Sequence, residues 1–317
     1  MSNTRQLTML RSAMGPVIAE ALTDPEVIEV LLNPDGSLWL DRLTTGRRST
    51  GHRLTASAAE RIIRLVAASL GQEVHPQAPH VSGELPDSGE RFEAWLPPVV
   101  RGPSFAIRKR AVSLIRLERY IEEGILSSGH AIFLKRAVQE RKNILIAGAS
   151  SSGKTTLANA LLQEIAATGD RVIVLEDTVE LQCAAADRVA LRTLPGSVSM
   201  ADLVRSTVRL RPDRVVMGEV RGAEMLDLLK VWSTGHPGGL ATLHANSARG
   251  ALVRVEQLVG EVLVNVPRGL IVEAIDVIVF IERRADTRRV EEILRVTGLN
   301  AQGYACQPIP HDTGEAE

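Results

Sequence analysis

The sequence predicts an α/β protein: a P-loop domain built on a central, mostly parallel sheet, preceded by a smaller α+β domain. Three observations carry this. Ile144-Leu-Ile-Ala147 reads as a buried strand and runs straight into Gly148-Ala-Ser-Ser-Ser-Gly153-Lys154-Thr155, which fits the phosphate-binding pattern GxxxxGK[ST] at every fixed position. From residue 128 onward, apolar strands alternate with amphipathic helices, the pattern of a parallel sheet wrapped by helices. A length of 317 residues, 44% of them hydrophobic, suffices for two cores.

Along the first domain, placed at residues 1–112, Leu7, Leu10, Met14, Val17, Ile18 and Ala21 recur at helical spacing over 5–22, and Thr23-Asp-Pro25 ends the run. Val27 to Leu32 and Leu38 to Leu40 flank Asn33-Pro-Asp-Gly36, a hairpin signal. A second amphipathic helix covers 55–70, capped by Thr55 or Ser57, and strands are expected at 91–96 and 105–108. The charged segment around RLERYIEEG suggests a linker over 113–127.

The P-loop domain then spans 128–310. Strands are expected at 143–148, 171–176, 189–193, 214–218 and 239–244. Helices are expected at 128–141, 154–167, 199–210, 222–233, 247–259 and 267–275, with a closing antiparallel pair at 277–281 and 290–296. The polar residues 311–317 read as a disordered tail.

Composition narrows the function. With 37 basic against 38 acidic residues and 3% aromatics, the chain has neither the charge bias nor the stacking platforms of a nucleic-acid binder, so no specific nucleic-acid binding is expected. No stretch approaches a membrane span, and the N-terminus lacks the apolar region of a signal peptide, so a cytoplasmic location is expected. Cys183 and Cys306 sit far apart without metal-ligand spacing and read as ordinary thiols.

The P-loop needs these residue types at this spacing. Its glycines, Gly148 and Gly153, let the backbone curl so that successive N–H groups of Ala149, Ser150, Ser151, Ser152, Gly153, Lys154, Thr155 and Thr156 face a polyphosphate. Lys154 reaches the β/γ oxygens, the Thr155 hydroxyl ligates Mg²⁺, and the following helix aims its positive end at the same charge. ATP and Mg²⁺ are thus the expected cofactors. Two further apolar strands end in acids. Val172 to Leu175 is followed by Glu176, Asp177 and, three residues further, Glu180, although a helix N-cap with first-turn acids would use the same residue types. Arg214-Val-Val-Met-Gly-Glu219 has the arrangement of a Walker B element, with Glu where the common pattern has Asp. A third strand, Gly239 to His244, ends in a histidine.

Together, ASSSGKTTL, VLEDTVEL, RLRPDRVVMGEVRG and STGHPGGLATLHANS resemble the Walker A, Asp box, Walker B and His box of the secretion ATPase superfamily, which serves type II and type IV secretion, pilus motors and conjugation. GERFEAWLPPVVRGPSFAIRK resembles the end of that family's N-terminal domain, and the style of the His box resembles the conjugal-transfer branch. The resemblance implies a RecA-like P-loop domain, a hexameric homo-oligomer, and inner-membrane secretion or conjugation channel proteins as partners at the membrane periphery. It also implies roles: Glu176 as base, Glu219 as organiser of Mg²⁺ and water, and His244 as a γ-phosphate sensor. Arg91, Arg101 and Arg108 become phosphate-contacting arginines, and Arg211 and Arg221 could act across an interface. The rivals are a pilus or type II secretion motor, a nucleotide-timed scaffold, and a small P-loop kinase, which would need an arginine-rich lid that the sequence lacks.

Overall fold

The computed structural model describes residues 3–86, 88–109, 115–194, 196–284 and 287–311. Residues 312–317 of the expected tail lie outside them. The chain divides into two compact units, 1–112 and 113–317.

The first unit runs α1 (Asn3–Thr23), β1 (Val27–Leu32), β2 (Ser37–Arg42), β3 (Gly46–Arg53), α2 (Ala56–Ser69), β4 (His80–Glu84), β5 (Arg91–Trp95) and β6 (Ser104–Arg108). The strands form a six-stranded sheet in the order β3-β2-β1-β6-β5-β4. Its apolar face carries Val30, Phe92, Ala94 and Ile107, which pack with Leu10, Met14 and Ile18 of α1 and Ile62, Ile63 and Val66 of α2. The first helix is not continuous. Gly15 takes φ 72° and ψ 174°, because the Pro16 ring would collide with the preceding turn and offers no N–H. Thr55 Oγ1 caps α2 by accepting the Ala58 N–H at 3.2 Å. β3 and β4 escape the sequence reading for one reason: both are edge strands, and β3 (GRRSTGHR) has no buried residue.

The second unit begins inside the segment expected to be a linker. There α3 (Leu117–Glu122) buries Leu117 and Tyr120 in the core, with Leu126 following. Charged residues on the outer face of so short a helix conceal the apolar pair at i and i+3. The rest runs α4 (Ser128–Gln139), β7 (Ile144–Gly148), α5 (Lys154–Ala166), β8 (Val172–Glu176), β9 (Arg188–Arg192), α6 (Met200–Thr207), β10 (Arg214–Val220), α7 (Glu224–Ser233), β11 (Leu240–His244), α8 (Ala248–Gly260), α9 (Arg268–Ala274), β12 (Val277–Arg284), β13 (Thr287–Asn300) and β14 (Gly303–Pro308). The sheet order is β14-β13-β12-β7-β11-β10-β8-β9. Strands β12 through β9 in that order pair in parallel, and β13 and β14 close one side antiparallel, β14 being an edge strand that the sequence does not announce.

Side chains alternate to two cores. Ile144, Ile146, Val172, Val174 and Val216 meet α3, α4 and α5, whereas Leu145, Ala147, Ile173, Leu175, Val215 and Met217 meet α6, α7, α8 and α9. Both faces are covered, which is why the strands read as continuous apolar runs. The carboxyl ends of β7, β8, β10 and β11 therefore share one rim, where open α/β sheets bind ligands. The opposite end is latched by a buried ion pair: Arg214 donates from Nε to Asp170 Oδ2 at 2.6 Å and to the carbonyls of Val138 and Gly238.

Candidate active site

The P-loop leaves β7, all five of whose residues are buried, and enters α5 through Gly153 in the left-handed region at φ 102°. Only glycine suits the two fixed positions. A Cβ on Gly148 would meet the Ile281 carbonyl oxygen at 2.3 Å, and one on Gly153 would meet Arg288 Cδ at 3.0 Å. Ser152 is buried and, among the described residues, its Oγ has no hydrogen-bond partner, a donor held ready inside the loop. Lys154, 7% exposed, donates from Nζ to the Gly148 and Ala149 carbonyls at 3.0 and 2.8 Å. This is a cradle of donors and small residues that fits a polyphosphate. Among the described residues, no group of three or more His, Cys, Asp or Glu side chains forms a metal cage.

Across the loop, Thr155 donates its hydroxyl to Glu180 Oε2 at 3.1 Å. Two anchors hold Glu180 there. Glu176 Oε1 accepts the backbone N–H groups of Glu180 and Leu181 at 2.8 and 2.7 Å, and Asn159 on α5 donates to the Glu180 carbonyl while accepting the Gln182 N–H. Burial raises the Glu176 pKa, against those two N–H bonds, which lower it. Its side chain crosses β10 at Gly218, where an added Cβ would stand 3.2 Å from Glu176 Cγ. The sequence places Glu180 in an acidic cluster able to face Mg²⁺ and water, without separating it from Glu176, and does not single out Asn159. The available signal was an Asn at a buried position inside a helix, among Leu157, Ala158, Ala160 and Leu161.

A chain of polar groups crosses the rest of the rim. The β10–β11 pairing slips between Met217 and Val220, and Glu219 sits in that slip. His244, ending β11, lies with Nε2 2.6 Å from Glu219 Oε1 and Nδ1 3.4 Å from Lys154 Nζ. Arg221 grips Glu219 Oε2 from Nε and Nη2 at 2.9 and 2.5 Å and reaches Asp177 at 3.6 Å. Burial and the nearby Lys154 hold the His244 pKa below its usual value, with Glu219 pulling the other way, so the ring is neutral: Nε2–H donates to Glu219 and Nδ1 faces the ammonium. Burial works to raise the Glu219 pKa, yet the hydrogen bonds and charge of Arg221, with His244 and Lys154, prevail and lower it. Glu219 is an anion placed between three cationic or donating groups.

Of the expected site residues, those of the P-loop with Glu176, Glu219, His244 and Arg221 therefore gather on one rim. Thr156 stands half-buried on the first turn of α5, and Ala149 and Ser150 form the exposed crest of the loop. Arg211, in the left-handed region at φ 54°, precedes the opposite end of β10, about 20 Å of strand away from Glu219. In the first unit, Arg91 and Arg108 are directly paired across β5 and β6, Arg108 lies 3.8 Å from Glu29, and Arg101 is exposed after β5.

Known proteins resemble this chain in sequence and in fold. A family model described as type II/IV secretion system protein matches residues 49–311. The chain is 48% identical to a probable conjugal transfer protein TrbB of Sinorhizobium fredii over 93% of its length and 91% of that protein's. It is 46% identical to the conjugal transfer protein TrbB of Rhizobium radiobacter, covering 96% of this chain and 95% of that one. Its fold is similar to the Legionella pneumophila ATPase DotB, with a TM-score of 0.62 at 18% identity, over 93% of this chain and 81% of that one. The domain carrying the P-loop has a RecA-like core, and the chain belongs to the type II/IV secretion system protein family.

Proposed function

We propose that this chain is a Mg²⁺-dependent ATPase that works as a subunit of a homo-hexameric ring and powers type IV secretion in conjugal transfer. The reading places it on the cytoplasmic side of the inner membrane, docked on the channel proteins of its secretion complex. No helix among the described residues is long and apolar enough to cross a membrane. The names of the two conjugal transfer relatives support the process. The observation that carries the chemistry is the convergence of Lys154, Thr155, Glu180, Glu219 and His244 on one rim of the sheet.

Mg²⁺, when bound, would neutralise charge on the phosphates. Thr155 Oγ1 would hold it directly, and Glu219 through water. Lys154 exchanges its two loop carbonyls for phosphate oxygens. Glu180, which the geometry favours over the anchored Glu176 as the base, stands beside Thr155 and accepts the proton of the attacking water. Glu176 keeps Glu180 in place through its backbone. His244, bonded to Lys154 and Glu219 at once, is positioned to register the loss of a γ-phosphate when the ammonium moves. In this reading Arg91, Arg101 and Arg108 add positive charge at the nucleotide, and Arg221 serves a neighbouring subunit.

Phosphate release by the purified chain tests the reading. Turnover should require Mg²⁺ and vanish in Lys154→Ala; hydrolysis indifferent to both would overturn it.

A further inference from the structure

The β12–β13 hairpin touches the P-loop at Gly148 and Gly153, and the mechanism leaves it unused. Its register pairs Ile281 with Val290 and Arg283 with Arg288. Ile281 and Val290 belong to the core shared with α5, so two residues further toward the rim, Arg283 and Arg288 share that same face. They therefore stand at the end of the sheet from which α5 begins. The contact is close. The space a Cβ on Gly153 would need is bounded by Arg288 Cδ at 3.0 Å, Arg288 Nε at 3.5 Å and Ile281 Cδ1 at 3.5 Å, and the Ile281 carbonyl blocks Gly148 in the same way. Two arginines at one register position on one face add positive charge beside the phosphate loop, and an anion there is attracted by both.

The flank matters. β7 lies between β11 and β12. Lys154 turns toward β11, where it meets His244 and, through it, Glu219. Arg288 lines the other flank, beside the glycine that opens α5, with Arg283 opposite it in the register. On the nucleotide-binding reading the terminal phosphate meets the Lys154 flank, which leaves the Arg288 flank to the inner phosphates.

We propose that Arg288, with Arg283 beside it, contacts the α- and β-phosphates of the bound nucleotide and so holds ATP and ADP alike. The inference rests on the nucleotide-binding reading above. It is independent of the first domain, since every residue in it belongs to the second unit. Such a contact would keep the nucleotide seated through hydrolysis, while the Lys154 and His244 flank distinguishes the triphosphate from the diphosphate.

Calorimetric titration with ADP·Mg²⁺ and with a non-hydrolysable ATP analogue tests it, using the full chain. Arg288→Ala should weaken both ligands by roughly tenfold or more, as loss of a charge-assisted bond does, and Arg288→Lys should recover part of that loss. Arg283→Ala should weaken both to a smaller degree. Unchanged affinities overturn the inference, and so does a loss confined to the triphosphate analogue, which would put these arginines on the γ-phosphate. Should Arg288→Ala fail to fold, Arg288→Lys and Arg283→Ala decide: wild-type affinity in both overturns it. A wild-type chain that binds neither ligand would instead refute the ATPase reading itself.

Discussion

Glu176 holds Glu180 by the backbone: Glu176 Oε1 accepts the Glu180 N–H at 2.8 Å, which leaves the Glu180 carboxylate on the Thr155 hydroxyl at 3.1 Å. One carboxylate positions and the other faces the Thr155 hydroxyl. Glu180→Gln should therefore bind ATP·Mg²⁺ nearly normally yet hydrolyse it at least about 10²-fold more slowly, the range of a lost general base. Glu176→Gln keeps an oxygen for the two N–H groups and should lose less. Single-turnover rates on the two variants decide, and the reverse ranking would return the role of base to Glu176.

Lys154→Ala removes the ammonium that bonds two carbonyls of the loop, while both cores of the domain stay untouched. Turnover should fall to background with the circular dichroism spectrum and unfolding midpoint near those of the wild type.

The His244 titration reports the charge chain directly. Its pKa lies below 6.5 because burial and Lys154 oppose the cation while Glu219 favours it. Glu219→Gln should lower it further and Lys154→Ala should raise it, as followed by the imidazole proton shifts in NMR. The folded state resists protonation here, so this histidine adds no instability at neutral pH, and stability is lost as pH falls below about 6.5, the unfolded value. Glu219, whose pKa is depressed, contributes stability above its unfolded value and loses it as pH falls through the lower folded one.

At the opposite end of the sheet, Arg214 is 1% exposed and Asp170 is its carboxylate partner at 2.6 Å. Asp170→Ala strands a buried guanidinium, which costs about 3–5 kcal/mol. Urea unfolding should show the midpoint moving by a corresponding amount without a change in slope; a shift of only a few tenths would mean that the Val138 and Gly238 carbonyls suffice.

Ring assembly predicts that specific activity of the full chain rises with concentration alongside its light-scattering mass. On the role proposed for Arg91, Arg101 and Arg108, a fragment of residues 113–317 should still bind ATP but hydrolyse it very slowly; an added arginine is worth about 10³ to 10⁵ in rate. Fragments starting near Leu126 would also delete α3, whose Leu117 and Tyr120 are buried in the core, and should be less stable. A monomer with full, concentration-independent activity would sink the ring hypothesis.

By itself the sequence determined the α/β class, the P-loop, and the acids and histidine that end the strands, because each is a local pattern: an apolar run for a strand buried on both faces, glycines at fixed offsets, a polar residue at a strand end. It left β3, β4, β14 and α3 unread, since edge strands and a one-and-a-half-turn helix carry too few buried positions to show a period. The division of labour between Glu176 and Glu180 was decided only in three dimensions. Both follow the same strand within four residues, and nothing in their spacing says which one caps backbone N–H groups and which one meets Thr155. The same holds for Asn159 and Arg288, whose partners, Glu180 and Gly153, lie 21 or more residues away in the chain, so that only packing shows what they meet.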